Sequence, residues 1–288
     1  MLSFRRTPVT LILAAVAVAV ELVCTARPEM RSYFYNDLRL GILSWVWSGE
    51  WHRPLTTTLL HGDLIHAAFN VYWLVILGGW VENRWGWSRY LAVTVLLSYL
   101  STMPEFLVSN WSAPLHAQQG MVGLSGVVYG WFGLLWIGRR QRPEFELVCP
   151  RSTVEIFAFW FFFCWAASYM GLFHAANVAH GAGWFFGALY GAALYAPNHR
   201  GWYRLAAVGL SALVLATLLG VPGHPLYRQH RAAEELRRQL QTRQTSAKHS
   251  LEFTLPPSVF YPRNVTSGPL PYGGGSGEFP PEVQRNTG

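Results

Sequence analysis

The sequence predicts an all-α, polytopic membrane helix bundle, in which a core of six transmembrane helices is followed by a seventh, C-terminal transmembrane helix. Hydrophobic residues make up 51% of the 288 residues and charged residues only 13%, about half the charged share of an ordinary soluble domain. Apolar stretches long enough to cross a bilayer recur along the chain. Arginine is concentrated in alternate loops between these stretches, as a fixed orientation in a membrane requires.

Seven apolar stretches are candidates for membrane spans, because about 20 residues are needed to cross a hydrocarbon core of about 30 Å. They lie at Val9–Ala26, His61–Val81, Tyr90–Asn110, Met121–Ile137, Val154–Met170, Ala176–Tyr195 and Leu205–Val221. The first stretch also fits a cleaved signal peptide, because Arg5 and Arg6 precede it and small residues end it. Its cleavage would leave the topology of the other spans unchanged.

The distribution of arginine predicts a cytoplasmic N-terminus. The loops that this orientation places inside contain Arg5, Arg6, Arg84, Arg89, Arg139, Arg140, Arg142, Arg151, Arg200 and Arg204. The outer loops before the tail contain only Arg27, Arg31, Arg39 and Arg53. Cytoplasmic loops carry such an excess of basic residues, so the net charge of +7 indicates orientation and gives little reason to expect a nucleic acid as partner.

Polar side chains are costly at membrane depth and therefore mark candidate functional positions. Asp63, His66 and Asn70 share one face of the second predicted span, with His61 at its outer mouth. Ser125 and Tyr129 share a face of the fourth. Glycines recur at helical spacing near Ser125 in the fourth span, at Gly126, Gly130 and Gly133. In the sixth span, Gly183, Gly187 and Gly191 lie on the same stripe as His180. Because glycine at this spacing lets helices approach closely in lipid, the fourth and sixth spans are expected to pack together.

That packing would place Ser125 beside His180. An adjacent imidazole that accepts the proton of a serine hydroxyl turns the serine into an effective nucleophile. No acidic residue in the fourth, fifth or sixth span is close enough to orient His180, so the expectation is a Ser/His dyad. The three cysteines are scattered and form neither a disulfide framework nor a zinc pattern.

An attacked carbonyl develops negative charge, which preorganised donors stabilise. His66 and Asn70 are candidate donors for this oxyanion, together with the backbone N–H of Ser125. Gly123 and Gly126 flank the serine and permit close approach. Tyr129 is a candidate for packing against the imidazole, although packing in the core explains it equally well. The polar face that includes His61 would give water a place to reside inside the bilayer.

These residues resemble the rhomboid family of intramembrane serine proteases. The resemblance extends from about Trp51 to Tyr195. Its motifs are His61-Gly-Asp-Leu-Ile-His-Ala-Ala-Phe-Asn70, Gly79-Trp-Val-Glu82 with Gly86, Gly-Leu-Ser125-Gly, and Ala-His180-x-x-Gly183-x-x-x-Gly187. By similarity, Ser125 is the nucleophile and His180 the general base, while His66 and Asn70 are the oxyanion donors. Tyr129 matches the aromatic position that stacks on the histidine in this family, and Glu82 is expected to have a structural role at the cytoplasmic end.

The predicted spans, the composition of the remaining residues and, for the first loop, the resemblance predict how the chain is organised. A short cytoplasmic N-terminus occupies 1–8, the six-helix core 9–200, the additional helix 201–222, and a polar, largely disordered tail 223–288, within which His230–Gln244 fits a short helix. The first loop, at 27–60, is expected to lie half embedded in the outer leaflet, because it contains Tyr33, Phe34, Tyr35, Leu38, Leu40, Trp45, Trp47 and Trp51. The family commonly has a Trp-Arg pair there, whereas this chain has Trp51-His52-Arg53.

The functional hypothesis is a serine endopeptidase that cleaves single-pass membrane proteins within or next to their transmembrane helices. No cofactor is expected, the expected partners are these substrates and membrane lipid, and the expected location is a bacterial inner membrane. The alternative is a non-proteolytic rhomboid-like protein that binds membrane clients, although such relatives typically lack the serine or the histidine. A metalloprotease is disfavoured because His61 and His66 lack the i, i+4 spacing and adjacent Glu of a helical zinc motif. A transporter is disfavoured because no inverted repeat is evident.

Overall fold

The structure, a computed structural model, describes residues 6–37, 43–112 and 123–254, and within these ranges it contains helices and no strand. The α-helices are α1 (Pro8–Ala26), α2 (Glu29–Ser32), α3 (Arg53–Thr56), α4 (Leu64–Trp73), α5 (Gly79–Trp85), α6 (Trp87–Ser109), α7 (Ser125–Gly138), α8 (Arg151–Tyr169), α9 (Asn177–Tyr195), α10 (Arg200–Ala216) and α11 (Pro225–Thr254). Short 3-10 helices lie at Leu43–Ser48, Thr57–Leu59 and Pro143–Leu147, and π turns at Tyr33–Asp37 and Leu74–Gly78.

A helix covers most of each predicted span. Four helical segments in the described part of the chain are long and apolar enough to cross a membrane, namely Pro8–Ala26, Leu64–Trp85, Trp87–Ser109 and Arg151–Tyr169, and Ser125–Gly138 is a shorter apolar helix. The all-α class and the bundle of apolar helices agree with the prediction. The fourth predicted span begins earlier than α7, and its first residue, Met121, lies outside the described residues.

The predicted packing of the fourth and sixth spans is confirmed. Helices α7 and α9 make the most extensive contact of any pair of described elements. A Cβ atom on Gly183 would overlap the carbonyl oxygen of Gly126, and one on Gly187 would overlap that of Gly130. Backbone therefore lies directly against backbone along this interface, and this close approach brings the start of α7 next to the start of α9.

The second span begins later than predicted, and this changes the position of two polar residues. Helix α4 starts at Leu64, with Asp63 as its N-cap in extended conformation, and the Asp63 side chain accepts a hydrogen bond from the backbone N–H of His66 at 2.8 Å. His61 precedes the helix. The prediction that Asp63 shares a helical face with His66 and Asn70 was therefore wrong, because Asp63 caps the helix and precedes its first residue.

The end of the bundle at which α1 begins holds a buried carboxylate that connects two helices. Glu82, in α5, is fully buried and accepts hydrogen bonds from the backbone N–H groups of Val9 and Thr10, each at 2.8 Å. These amides belong to the first turn of α1 and have no partner within that helix. Glu82 thus caps α1, as the expected structural role requires, and α1 contributes Ala17 to the main hydrophobic core.

Helix α10 is displaced toward the N-terminus relative to the predicted seventh span. It runs from Arg200 to Ala216, whereas the prediction was Leu205–Val221. The side chains of Arg200 and Arg204 fold back to donate hydrogen bonds to the carbonyl oxygens of Ala196 and Ala193, at 3.1 and 3.2 Å. These hydrogen bonds connect the first turns of α10 to the end of α9.

The start of α11 docks on the first loop. Trp47 donates from its indole nitrogen to the carbonyl oxygen of Thr217 at 3.0 Å and packs edge-on against Tyr227. Ser48 donates to Glu234 at 2.6 Å. His224 accepts from the N–H of Leu226 and its other ring nitrogen lies 2.8 Å from the carbonyl oxygen of Leu107. The first part of the tail therefore lies at the same end of the bundle as the first loop.

The tail contains more helix than predicted. Helix α11 extends from Pro225 to Thr254, beyond both ends of the predicted segment His230–Gln244. Residues 1–235 form one compact unit and 236–288 a second, so the beginning of α11 belongs to the bundle. Residues 255–288, like Leu38 and Leu40 of the first loop, lie outside the described ranges. The boundaries proposed at 8, 200 and 222 and the embedding of the first loop stay predictions.

Candidate active site

Ser125 is the first residue of α7 and is buried, with 7% of its surface exposed. The chain enters this helix through Gly123, whose φ of +114° is a conformation that residues with a side chain rarely adopt. On the other side, a Cβ on Gly126 would lie 2.5 Å from the hydroxyl oxygen of Ser101 in α6. The two glycines predicted to flank the serine are thus needed, one for the turn and the other for close packing.

His180 lies in the first turn of α9, and its Nε2 is 2.8 Å from Oγ of Ser125. The two residues are 55 positions apart in sequence and are joined by the glycine contact between α7 and α9. In the neutral tautomer with an unprotonated Nε2, the serine hydroxyl donates to the imidazole. This geometry allows proton transfer from the hydroxyl during nucleophilic attack.

The imidazole of His180 is held by an aromatic ring and not by a carboxylate. Tyr129, one helical turn after Ser125, stacks on it with ring centroids 4.7 Å apart and an angle of 23° between the planes. The hydroxyl of Tyr129 donates to the carbonyl oxygen of Phe157 at 3.1 Å, which fixes its ring. Nδ1 of His180 is buried and has no hydrogen-bond partner among the residues described. No carboxylate of the described residues therefore contacts the imidazole directly.

His66 and Asn70 converge at the turn that precedes Ser125. A Cβ built on Gly123 would lie 3.1 Å from Nε2 of His66 and 3.5 Å from Nδ2 of Asn70. Asn70 is 2% exposed, and its amide nitrogen has no hydrogen-bond partner in the described structure. Since an unsatisfied buried donor is costly, an acceptor at this place would be stabilised. Nδ1 of His66 faces the N–H of Gly62 at 3.5 Å, which favours the tautomer that carries its proton on Nε2.

His61 supports this turn from the opposite side. Its Nε2 accepts a hydrogen bond from the backbone N–H of Leu124 at 3.4 Å, and its ring lies edge-on to His66 with centroids 5.2 Å apart. His61 is fully buried, so it holds the turn in place and does not line an exposed polar face. The structure thus brings together all eight residues singled out in the sequence: Ser125, His180, His66, Asn70, Tyr129, Gly123, Gly126 and His61. Their chemical roles stay predictions.

Two groups near the site were missed by the sequence analysis. Glu105, in the third predicted span, accepts a hydrogen bond from the backbone N–H of Ala179 at 2.9 Å. Glu21, in the first span, forms an ion pair of 2.7 Å with Arg31, which also donates to the carbonyl oxygen of His61. The sequence contained the information needed to find them, because an acidic residue inside an apolar span marks a candidate functional position.

The cysteines do not offer an alternative nucleophile. Cys24, Cys149 and Cys164 are all buried and none forms a disulfide. Burial raises the pKa of the Cys149 thiol, in the loop between α7 and α8, to about 12. Since the thiolate is the reactive form, burial disfavours Cys149 as a nucleophile.

Comparison with known proteins agrees with the geometry. The family model described as the Rhomboid domain matches residues 48–197, just over half of the chain. The chain is 27% identical over 188 residues to a protein named Rhomboid protease GlpG from Yersinia pseudotuberculosis serotype I (strain IP32953), an alignment that covers 63% of this chain and 61% of that protein. It is 29% identical over 171 residues to the Rhomboid protease GlpG of Serratia proteamaculans (strain 568), with 57% of this chain and 56% of that protein covered.

The chain thus spans about three fifths of the length of the curated relatives it matches. The matched segment contains Ser125, His180, His66 and Asn70, and it begins within the first loop and ends just after α9. Together with the membrane-length apolar helices, the match establishes an integral membrane protein. The chain belongs to the rhomboid family.

Proposed function

We propose that this protein is an intramembrane serine endopeptidase that uses Ser125 and His180 as a dyad. The observation that carries the proposal is the 2.8 Å contact between Oγ of Ser125 and Nε2 of His180 inside a helix bundle. The relatives are named as rhomboid proteases, which supports the same reaction class. The bond attacked is the peptide bond of a second membrane protein.

The catalytic cycle follows from the residues at the site. His180 takes the proton of the Ser125 hydroxyl as Oγ attacks the carbonyl carbon, and a tetrahedral intermediate forms. The amide N–H of Asn70 and Nε2–H of His66 donate to the oxyanion. His180 then gives its proton to the leaving amine, and water hydrolyses the acyl-enzyme with His180 as base again. Transfer of this second proton to Oγ of Ser125 restores the starting state.

Substrates of this enzyme are proposed to be single-pass membrane proteins. A peptide bond in a regular helix is shielded by its own hydrogen bonds, and in lipid no water replaces them. Substrate helices that unwind easily near the end of the bundle that holds the site are therefore preferred. Six spans form the protease core, α10 forms the seventh, and the relatives favour a bacterial inner membrane as the location.

Cleavage of a membrane-embedded reporter tests this function. The full chain is reconstituted in lipid vesicles with a single-pass reporter whose transmembrane helix contains helix-breaking residues near one end. We expect two fragments whose new termini, identified by mass spectrometry, lie within or next to the transmembrane helix. The matched control is Ser125→Ala, which should leave the reporter intact. Binding of the reporter with no cleavage by the parent protein would instead favour the non-proteolytic alternative.

A further inference from the structure

Helix α9, which carries His180, begins without a side-chain cap of its own. Its N-cap position is Ala176, which has no acceptor in its side chain. The first amides of a helix lack partners within the helix, and buried amides without a partner are destabilising. The first turn of α9 therefore needs an acceptor from elsewhere in the bundle.

Glu105 of α6 supplies this acceptor. Its Oε2 accepts from the backbone N–H of Ala179 at 2.9 Å, and its Oε1 accepts from the hydroxyl of Ser109 one turn further along α6. The residue is 5% exposed. A carboxylate is also favoured at this place by the positive end of the helix dipole. Both oxygens are thus used, and the carboxylate connects α6 directly to the residue before His180.

The position of His180 depends on this first turn. The N–H of His180 is bonded to the carbonyl oxygen of Ala176, so the residue is part of the same turn as Ala179. Its Nδ1 has no partner within the described residues, and the imidazole itself is held by the stacked ring of Tyr129 and by its contact with Ser125. A shift of this turn would consequently move Nε2 away from Oγ of Ser125.

We infer that Glu105 is a positioning residue for the protease reaction, whose carboxylate fixes the first turn of α9 and thereby sets the distance between His180 and Ser125. The inference rests on the proposed function. It assigns to α6 the orienting role that an acidic residue hydrogen-bonded to the histidine fulfils in a catalytic triad. Here the carboxylate acts on the helix backbone and not on the imidazole.

Two polar substitutions at Glu105 distinguish the effect of side-chain length from the effect of charge. Glu105→Gln keeps the length of the side chain and an oxygen that accepts from Ala179, but it removes the charge. Glu105→Asp keeps the charge but withdraws the carboxylate by about one carbon–carbon bond, roughly 1.5 Å, which takes it beyond hydrogen-bond distance of that amide. A misplacement of about 1 Å can reduce turnover on the order of 100-fold.

We therefore expect kcat for the vesicle reporter to fall about 10- to 100-fold in the Asp variant, with KM changed less than about twofold because Glu105 does not touch substrate. The Gln variant should retain kcat within about threefold of the parent. Rates are expressed per amount of folded protein, measured by size-exclusion chromatography.

Glu82→Asp is the matched control. Glu82 is also a buried glutamate that caps the first turn of a helix, but that helix, α1, carries none of the site residues. Its shortening should lower the unfolding temperature and leave kcat per folded protein unchanged. An Asp variant at position 105 that turns over as fast as the Gln variant, or a Glu82→Asp protein that loses as much kcat, would overturn the positioning role. A parent protein that cleaves no reporter would contradict the proposed function itself.

Discussion

Replacement of Ser125 or of His180 with Ala is expected to reduce the rate of reporter cleavage on the order of 10⁴- to 10⁶-fold, and replacement of both should reduce it no further. The two side chains share one hydrogen bond of 2.8 Å and act on a single proton. Residues that act as one unit show such non-additive losses. The measurement is kcat/KM for the parent, the two single variants and the double variant in the same vesicles.

Tyr129→Phe provides the control for this comparison. The variant keeps the ring that stacks on His180 and loses only the hydroxyl that donates to Phe157. Its rate should stay within about tenfold of the parent, since the proton transfer itself is untouched. Losses at Ser125 and His180 that multiply in the double variant would show that the two residues act independently, which contradicts the dyad.

Asn70→Ala is expected to lower kcat about 100- to 1000-fold, the usual effect of removing one oxyanion donor. Its Nδ2 is buried without a hydrogen-bond partner in the described structure, so the substitution breaks no bond of that nitrogen. KM should change little, because the donor acts mainly on the transition state. Kinetics and thermal unfolding are measured on the same preparations.

Asn83→Ala is the matched control for Asn70→Ala. Asn83 is exposed, in α5 beside Glu82, which caps α1, and its loss should leave both kcat and the unfolding temperature unchanged. An Asn70→Ala protein with kcat within about threefold of the parent would remove Asn70 from the oxyanion site and leave His66 and the backbone N–H of Ser125.

The sequence was sufficient to predict which helices meet at the site. Glycine stripes on two apolar spans specify close backbone contact, and both stripes, Gly126 with Gly130 and Gly183 with Gly187, lie in that contact. Because each stripe is in register with one polar residue, the pairing also placed Ser125 next to His180. His66 and Asn70 both approach Gly123 because they lie one turn apart on the same face of α4.

The ends of helices and the partners of their first turns could not be predicted in this way. Periodicity describes the interior of a helix, whereas its start depends on capping. Helix α4 starts at Leu64, directly after its cap Asp63, and thus three residues later than the predicted start at His61. Glu105 and Ala179 are 74 residues apart, and no local pattern connects them. The start of α11 likewise depends on His224, which bonds to Leu107 far earlier in the chain.

The central claim, that Ser125 and His180 form the catalytic pair, is tested most directly by identifying the residue that a fluorophosphonate labels. This reagent forms a covalent bond with a serine oxygen that a base has activated, and fluoride leaves. The full-length protein is labelled in lipid vesicles, digested and examined by mass spectrometry. We expect a single adduct on the oxygen of Ser125 and its loss in the His180→Ala variant. An adduct on another residue, or equal labelling of Ser125 without His180, would contradict the assignment of these two residues as the catalytic pair.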